Sequence, residues 1–350
     1  MKNKTPITTA TDDTAGKNRD ETRQRFTRIA RCPSCRKGKL LWNSRVVRCV
    51  TCSAWYPITD GVLQLVPLTS AYTEDRNSFR EKVGKRYRLK VDRKTVSPES
   101  PQEVQRRHFD RYATDIDQSY NIYETMVFWR VIDRSIFDGW MKIIPKNAVI
   151  LDVGCAQGRS AKPFVENKYT VIGFDIAKKM IEAGNSRFKD LAKPPLLFVG
   201  DATTIPVADG CADVVVLYGV LHHLPHPRLI AKEIARVLKP KGIFLSLENN
   251  RTPLRFLFDV LQRLMCLWDE KAGESPTMSA ADVSGWFAEA DMTVRTRTHV
   301  FLPPHLINIL PVPVGYRITA WTDAAASRIP LIREWGGLIE IIGTKTNQIK

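Results

Sequence analysis

The stretch Val149-Ile150-Leu151-Asp152-Val153-Gly154-Cys155-Ala156-Gln157-Gly158-Arg159 decides how the chain is read. A short apolar run of strand length ends in a bend of small residues, and helical spacing begins at Arg159. Small residues let a backbone approach a ligand closely. A loop that feeds a helix N-terminus suits a carboxylate or phosphate. The dinucleotide fingerprint requires its third glycine three residues after the second. Here the small residues fall at 154, 156 and 158, and the third-glycine position holds Arg159. That spacing argues against NAD.

Outward from this stretch, apolar runs alternate with helical patterns. Tyr169–Phe174, Leu196–Val199, Asp213–Tyr218 and Gly242–Leu247 read as strands, and Arg159–Asn167, Ala177–Leu191 and Pro227–Leu238 as helices. Short strands alternating with helices predict a parallel sheet covered on both faces, and the unbroken apolar strands fit burial on both sides. Thr293–Val300 and Leu338–Thr344 read as two more strands. Upstream, helical periodicity starts at about Gln105 and runs through Phe109, Tyr112, Tyr120, Tyr123, Met126 and Trp129. Leu254–Trp268 is amphipathic, with Phe256, Leu257, Val260, Leu261, Leu264 and Leu267 on one side. Phe301–Tyr316 is apolar and proline-rich. These segments read either as a core helix and packed loop, or as a lid over an apolar substrate or a contact with a membrane surface. There is no internal repeat.

The spacing Cys32-x-x-Cys35, thirteen residues, Cys49-x-x-Cys52 sets two thiolate pairs on tight knuckles. Folded together they form a tetrahedral four-sulfur site, which suits a structural Zn²⁺. About forty residues bury too little apolar surface to fold alone, so metal would supply the missing stability. Cys155, Cys211 and Cys266 stand among apolar neighbours and read as reduced core thiols.

The chain of 350 residues has room for one large domain and a small one. We expect a disordered tail over 1–28, a zinc ribbon over 29–68, a basic linker over 69–103 and a catalytic domain over 104–350, with lid or insertion segments at 251–292 and 301–335. The net charge of +16 favours acidic partners such as RNA, anionic head groups or phosphorylated substrates. Much of it lies between Arg76 and Arg111, with twelve Lys/Arg against five Asp/Glu. No apolar run reaches spanning length, and Met1–Thr27 lacks a secretory h-region, so a cytoplasmic protein is expected, with peripheral membrane contact as an option. Nothing in the sequence demands an obligate protein partner.

Two resemblances refine this reading. Tyr56-Pro57-Ile58-Thr59-Asp60-Gly61-Val62 resembles the ending of the zinc-ribbon family of methyltransferase activators. The Asp152–Gly158 loop resembles the first motif of class I S-adenosylmethionine methyltransferases, matching at Asp152, Gly154 and Gly158 and departing at Ala156, where the family carries glycine. Asp175 then stands where the family's acid takes both ribose hydroxyls, with Ile176 beside it. Gly200-Asp201-Ala202 stands where an acid lies near the adenine amine. Asp213–Leu224, with Tyr218, His222 and His223, resembles a segment common in the small-molecule branch, and Phe109–Ala113 resembles the helix before the first motif. The resemblance implies a Rossmann-like α/β sheet of seven mostly parallel strands, S-adenosyl-L-methionine as cofactor, and a methyl acceptor near His222 and His223.

Methyl transfer from a sulfonium needs alignment more than activation. A base is needed where the acceptor must lose a proton, and histidine suits that work. His222, His223 and Tyr218 are therefore the catalytic candidates, and Asp152, Gly154, Ala156, Gly158, Asp175, Ile176, Asp201, Ala202 and Tyr218 the cofactor candidates. A small-molecule or lipid-linked acceptor is favoured by the His-His-Leu segment. An RNA acceptor, gripped by ribbon and basic linker, is the alternative. A non-catalytic binding protein is the third reading, against which stand the three acids.

Overall fold

The computed structural model describes residues 21–67, 72–89, 100–114, 122–224, 226–265 and 277–346. The rest of the expected tail, the linker break at 97–99, Tyr120, Cys266 and the end of the amphipathic run at 266–268 lie outside the described residues.

At the centre are five parallel strands, β5 (Val149–Val153), β6 (Thr170–Asp175), β7 (Leu196–Gly200), β8 (Ala212–Tyr218) and β9 (Leu238–Asn249). β11 (Leu338–Lys345) and β10 (Met292–His299) close one side antiparallel. The helices are α1 (residues 21–29), α2 (Thr73–Tyr87), α3 (Pro101–Thr114), α4 (Ile122–Thr125), α5 (Val127–Trp140), α6 (Ala161–Glu166), α7 (Lys178–Arg187), α8 (Pro227–Val237), α9 (Pro253–Met265), α10 (Ala280–Ala288), α11 (Pro304–Asn308) and α12 (Val312–Ala326). Alternate side chains of a strand serve opposite faces. Accordingly Leu151, Val215 and Leu217 join α8 and α10 on one face, while Ile150, Val214 and Val216 join α5 on the other. That two-sided burial is why these strands read as unbroken apolar runs.

Among the described residues the sheet has eleven strands rather than seven, in the order β1-β2-β3-β4-β7-β6-β5-β8-β9-β11-β10. The extra four come from the cysteine module: β1 (Leu40–Trp42), β2 (Val46–Cys49), β3 (Trp55–Thr59) and β4 (Val62–Leu65). β4 lies parallel to β7, with Gln64 opposite Val199 and Leu65 opposite Gly200. An uncovered β7 edge would leave a row of unpaired backbone groups; β4 satisfies them, and all four of its residues are buried.

Two segment expectations change. Residues 21–28, read as tail, are helical, and Phe26 is buried with its ring 4.8 Å from that of Phe198. Residues 73–87, read as linker, form α2. Arg76 of α2 is buried, donates to the Trp55 carbonyl at 2.7 Å and stacks 4.3 Å from the Trp55 ring. Arg106 of α3 pairs with Glu103 and Asp110 and lies over Tyr72 at 4.7 Å. Part of the basic stretch is therefore engaged in internal contacts. Among the described residues, no helix is long and apolar enough to cross a membrane.

Candidate active site and metal centre

β5 has β6 on one side and β8 on the other, so the chain switches direction there and a crevice opens above the strands' carboxyl ends. The loop after β5 is drawn over the tip of β6: Gly154 and Cys155 donate their N–H groups to the Phe174 carbonyl at 2.8 and 3.1 Å. Gly154 (φ 73°) and Gly158 (φ 81°) are left-handed, and a Cβ at Gly154 would stand 2.6 Å from the Val220 methyls. Ala156 is left-handed too, at φ 45°. A non-glycine residue there carries a strain of about 1–2 kcal/mol.

Asp175 ties the loop down from below. Its Oδ2 accepts from Ala156 N at 3.0 Å and its Oδ1 from Ala177 N at 2.9 Å. Burial, with the Asp110 carboxylate adding to it, pushes this carboxyl up to about 6 against the pull of those amides. A carboxylate offers about four acceptor positions, so two amides leave room for two hydroxyls. Tyr72 fixes the same turn from the other side, donating to the Ile176 carbonyl at 2.6 Å and accepting from Lys178 N at 2.9 Å.

Asp152 is fully buried. Its Oδ2 accepts from Ser160 Oγ at 2.7 Å, while Oδ1 has no hydrogen-bond partner. Burial raises its pKa to about 7, and the nearby Asp175 adds to the shift. Asp201 caps a 3-10 turn, its Oδ1 accepting from Thr203 N at 2.8 Å and Thr203 Oγ1 at 2.7 Å.

The exit of β8 carries the two histidines on another 3-10 turn. His222 is buried, and its Nδ1 lies 2.7 Å from Oε2 of Glu248, the penultimate residue of β9. Glu248 Oε1 also accepts from Val220 N at 3.1 Å, Leu221 N at 2.9 Å and Ser246 Oγ at 3.0 Å. An ionised carboxylate can only accept, so the His222 ring sets a proton on Nδ1 toward Glu248 and turns Nε2 away from it. The His223 ring lies tilted 4.0 Å from that of His222 and edge-on to Phe109 at 5.4 Å. Burial, with His222 and His108 beside it, holds His223 well below the ordinary imidazole range, so it stays neutral. Tyr218 donates its hydroxyl to Asp133 Oδ1 at 2.6 Å, and its ring lies under the Arg159 guanidinium at 5.1 Å. Arg159 in turn pairs with Asp133.

These groups meet in one cavity of about 230 Å³. Gly154, Ala156, Asp175, Ile176, Asp201 and Ala202 line one part of it. Tyr218, His222, His223 and Glu248 line the next, and α9 and α11 wall the remainder through Phe258 and His305. Asp152 and Gly158 lie behind the loop and do not line it. Sequence reading missed Glu248 and Tyr72. The only signal for Glu248 was its place at the end of a strand, where ligands of open α/β sheets gather; Tyr72 gave none.

This assembly of strand-end acids and a small-residue bend decides the identity of the central segment. Residues 151–246 match the family model described as a methyltransferase domain. The match to that family model covers the motif loop, Asp175, Asp201 and the histidine turn. Over 174 residues the chain is 29% identical to the 2-methyl-6-phytyl-1,4-hydroquinone methyltransferase of Synechocystis, covering 45% of this chain and 54% of that protein. Over 171 residues it is 31% identical to the demethylmenaquinone methyltransferase of Symbiobacterium thermophilum, covering 46% of this chain and 65% of that one. The matched segments thus span between half and two thirds of these relatives. A solved complex of the Haloferax volcanii Trm112 methyltransferase activator with a methyltransferase aligns at 18% identity over 70% of this chain and 99% of that one, with a TM-score of 0.48. The chain's own residues fit S-adenosylmethionine: Gly154 and Ala156 of the small-residue bend line the cavity, and so does Asp175, whose carboxylate has acceptor capacity beyond the two loop amides.

The four paired cysteines also converge. The sulfurs of Cys32, Cys35, Cys49 and Cys52 all lie within 4.8 Å of one another. Gly38 N–H donates to Cys35 Sγ at 3.3 Å, and Thr51 and Cys52 N–H groups to Cys49 Sγ at 3.3 and 3.4 Å. Amides aimed at sulfur stabilise thiolates, the form that binds metal. At Gly38 a Cβ would collide with Cys49 Sγ. The donor set fits a closed, structural Zn²⁺ site with sulfurs about 2.3 Å from the metal.

Proposed function

We propose that the protein methylates a hydroxyl-bearing acceptor, a small molecule or a lipid-linked ring, with His222 as the proton acceptor. The observation that carries this reading is the 2.7 Å pairing of His222 Nδ1 with Glu248 in the wall of the cavity that Asp175 and Asp201 also line. S-adenosylmethionine supplies an electrophilic methyl whose leaving group is a neutral thioether. Asp175 would hold the ribose hydroxyls and Asp201 the adenine side, and the bend at Gly154 and Ala156 would take the cofactor's polar tail. Glu248 orients the His222 ring, as the buried carboxylate does in a hydrolase triad. His222 Nε2 then removes the proton of the acceptor hydroxyl, raising electron density on its oxygen or, in a hydroxylated ring, on the ring carbons. His223, held neutral, avoids repelling the imidazolium that forms on His222. Tyr218 contributes its ring to the pocket wall rather than its hydroxyl, which Asp133 engages. The relatives named for hydroquinone and demethylmenaquinone methylation support an acceptor of this chemistry.

The test is to supply S-adenosylmethionine with a labelled methyl group to a cell extract containing the protein. Label in a small molecule or lipid supports the reading. Label in RNA or protein alone, or none beyond background, overturns it.

A further inference from the structure

The helix α9 is turned inside out. At roughly 100° per residue, Arg255, Phe258, Asp259 and Gln262 share one side, and that side lines the cavity. The opposite side carries Phe256 (71% exposed), Leu257 (46%) and Leu264 (76%), with Met265 (61%) at its end. Of the two readings, core helix or lid and surface contact, the exposure of this apolar side fits the second. A surface helix of a globular protein normally does the reverse. The second wall repeats the pattern: α11 lines the cavity with Pro304 and His305, while Leu306 and the following Ile309 are 51% and 79% exposed. Leu331 and Trp335 are also exposed, in the segment leading to Gly337, another cavity-lining residue. Exposed large apolar groups of this number mark an interaction surface.

Charge selects its occupant. Arg251, Arg263, Arg328 and Arg333 are exposed in the same segments. Asp282 faces Arg251, Asp259 faces Arg255 and Glu334 lies against Arg333. The chain carries +16 overall. Two copies of so basic a chain repel each other, and the core of a protein interface is depleted in charge. Apolar residues interleaved with arginine, including a tryptophan, suit the head-group region of an anionic bilayer.

We propose that the outer sides of α9 and α11 dock the acceptor half of the cavity onto an anionic lipid surface. The docking draws its purpose from a lipid-linked acceptor, and so rests on the reading above. It would bring the cavity walls to the layer in which such an acceptor resides, and it asks no bilayer-spanning helix of the chain.

The experiment is co-sedimentation of the full chain with vesicles of phosphatidylcholine alone and of phosphatidylcholine with phosphatidylglycerol. The proposal expects partition onto the anionic vesicles and a drop of about tenfold or more in the F256S/L264S variant, two large apolar side chains having been lost from the interface. S-adenosylmethionine affinity should be the same in both proteins, which shows the variant to be folded. No partition, or partition equal in wild type and variant, overturns the proposal. So does a wild-type dimer that F256S/L264S dissociates, since a second copy would then cover the stripe. Methyl transfer to a soluble hydroxylated ring without vesicle binding defeats the docking alone; vesicle binding without methyl transfer to any acceptor defeats the function alone.

Discussion

Glu248 at the end of β9 places Oε2 2.7 Å from Nδ1 of His222 and gathers the Val220 and Leu221 amides on its other oxygen. One carboxylate thereby shapes the β8 exit turn and selects the tautomer of the ring that the turn presents. Glu248→Gln keeps an acceptor for the amides but can donate to Nδ1, favouring the wrong tautomer. Turnover should fall by about 10²-fold or more, by analogy with the triad carboxylate, with S-adenosylmethionine affinity within a few-fold of wild type. Steady-state kinetics beside calorimetry separates the two. Equal losses in both would make Glu248 a purely structural residue.

Asp175 performs two tasks, accepting from Ala156 N and Ala177 N and facing the cavity. Asp175→Ala should weaken S-adenosylmethionine binding by about tenfold or more, the loss of charge-assisted contacts to two hydroxyls. Because burial raises its pKa to about 6, binding to wild type should weaken as pH falls through that value and the carboxylate protonates. Calorimetric titrations at pH 5 to 8 check both. A flat pH profile with an unaltered Asp175→Ala affinity removes the ribose role.

Ala156 sits at φ 45° where the resembled motif has glycine. Ala156→Gly relieves about 1–2 kcal/mol of left-handed strain and loses about 0.5–1 kcal/mol to the freer unfolded chain. Thermal denaturation should therefore show unchanged or slightly raised stability, and cofactor binding should be no weaker. A clear fall in stability would show that the Ala156 methyl packs productively.

His299 is buried between two carboxylates, Nδ1 3.0 Å from Asp323 and Nε2 3.1 Å from Glu340. Burial alone would lower its pKa, but the hydrogen bonds to Asp323 and Glu340 outweigh it and hold it at about 9. The folded pKa exceeds the unfolded value of about 6.5, so this stabilisation is full below pH 6.5 and is lost as pH rises through 9. Its size is on the order of 3 kcal/mol. Urea denaturation across pH 6 to 10 should show the decline, and His299→Gln should flatten it. An equal decline in the variant would place its origin elsewhere.

Much of this was legible where the signal is local. The cysteine spacing marked Cys32, Cys35, Cys49 and Cys52, and the strand ends marked Asp175, Asp201 and the histidine turn, because each lies within a few residues of its own pattern. Glu248 was not, since it meets His222 only through the parallel pairing of β8 with β9, which sets Tyr218 opposite Leu247. The union of the cysteine module with the main sheet was hidden for the same reason: it depends on β4 finding the β7 edge, a register no local spacing encodes. For α9 the periodicity was legible, but not which side meets the core. An apolar stripe reports that a helix has two faces, without saying which one meets water.

The most direct test of the account is single-turnover methyl transfer from S-adenosylmethionine to a hydroxylated aromatic acceptor, comparing wild type with His222→Ala at saturating cofactor. Wild type should transfer the methyl group, and the variant should lose about 10²–10⁴-fold, the usual span of a positioned acid or base, with cofactor affinity nearly unchanged. Transfer at the wild-type rate by His222→Ala would contradict it.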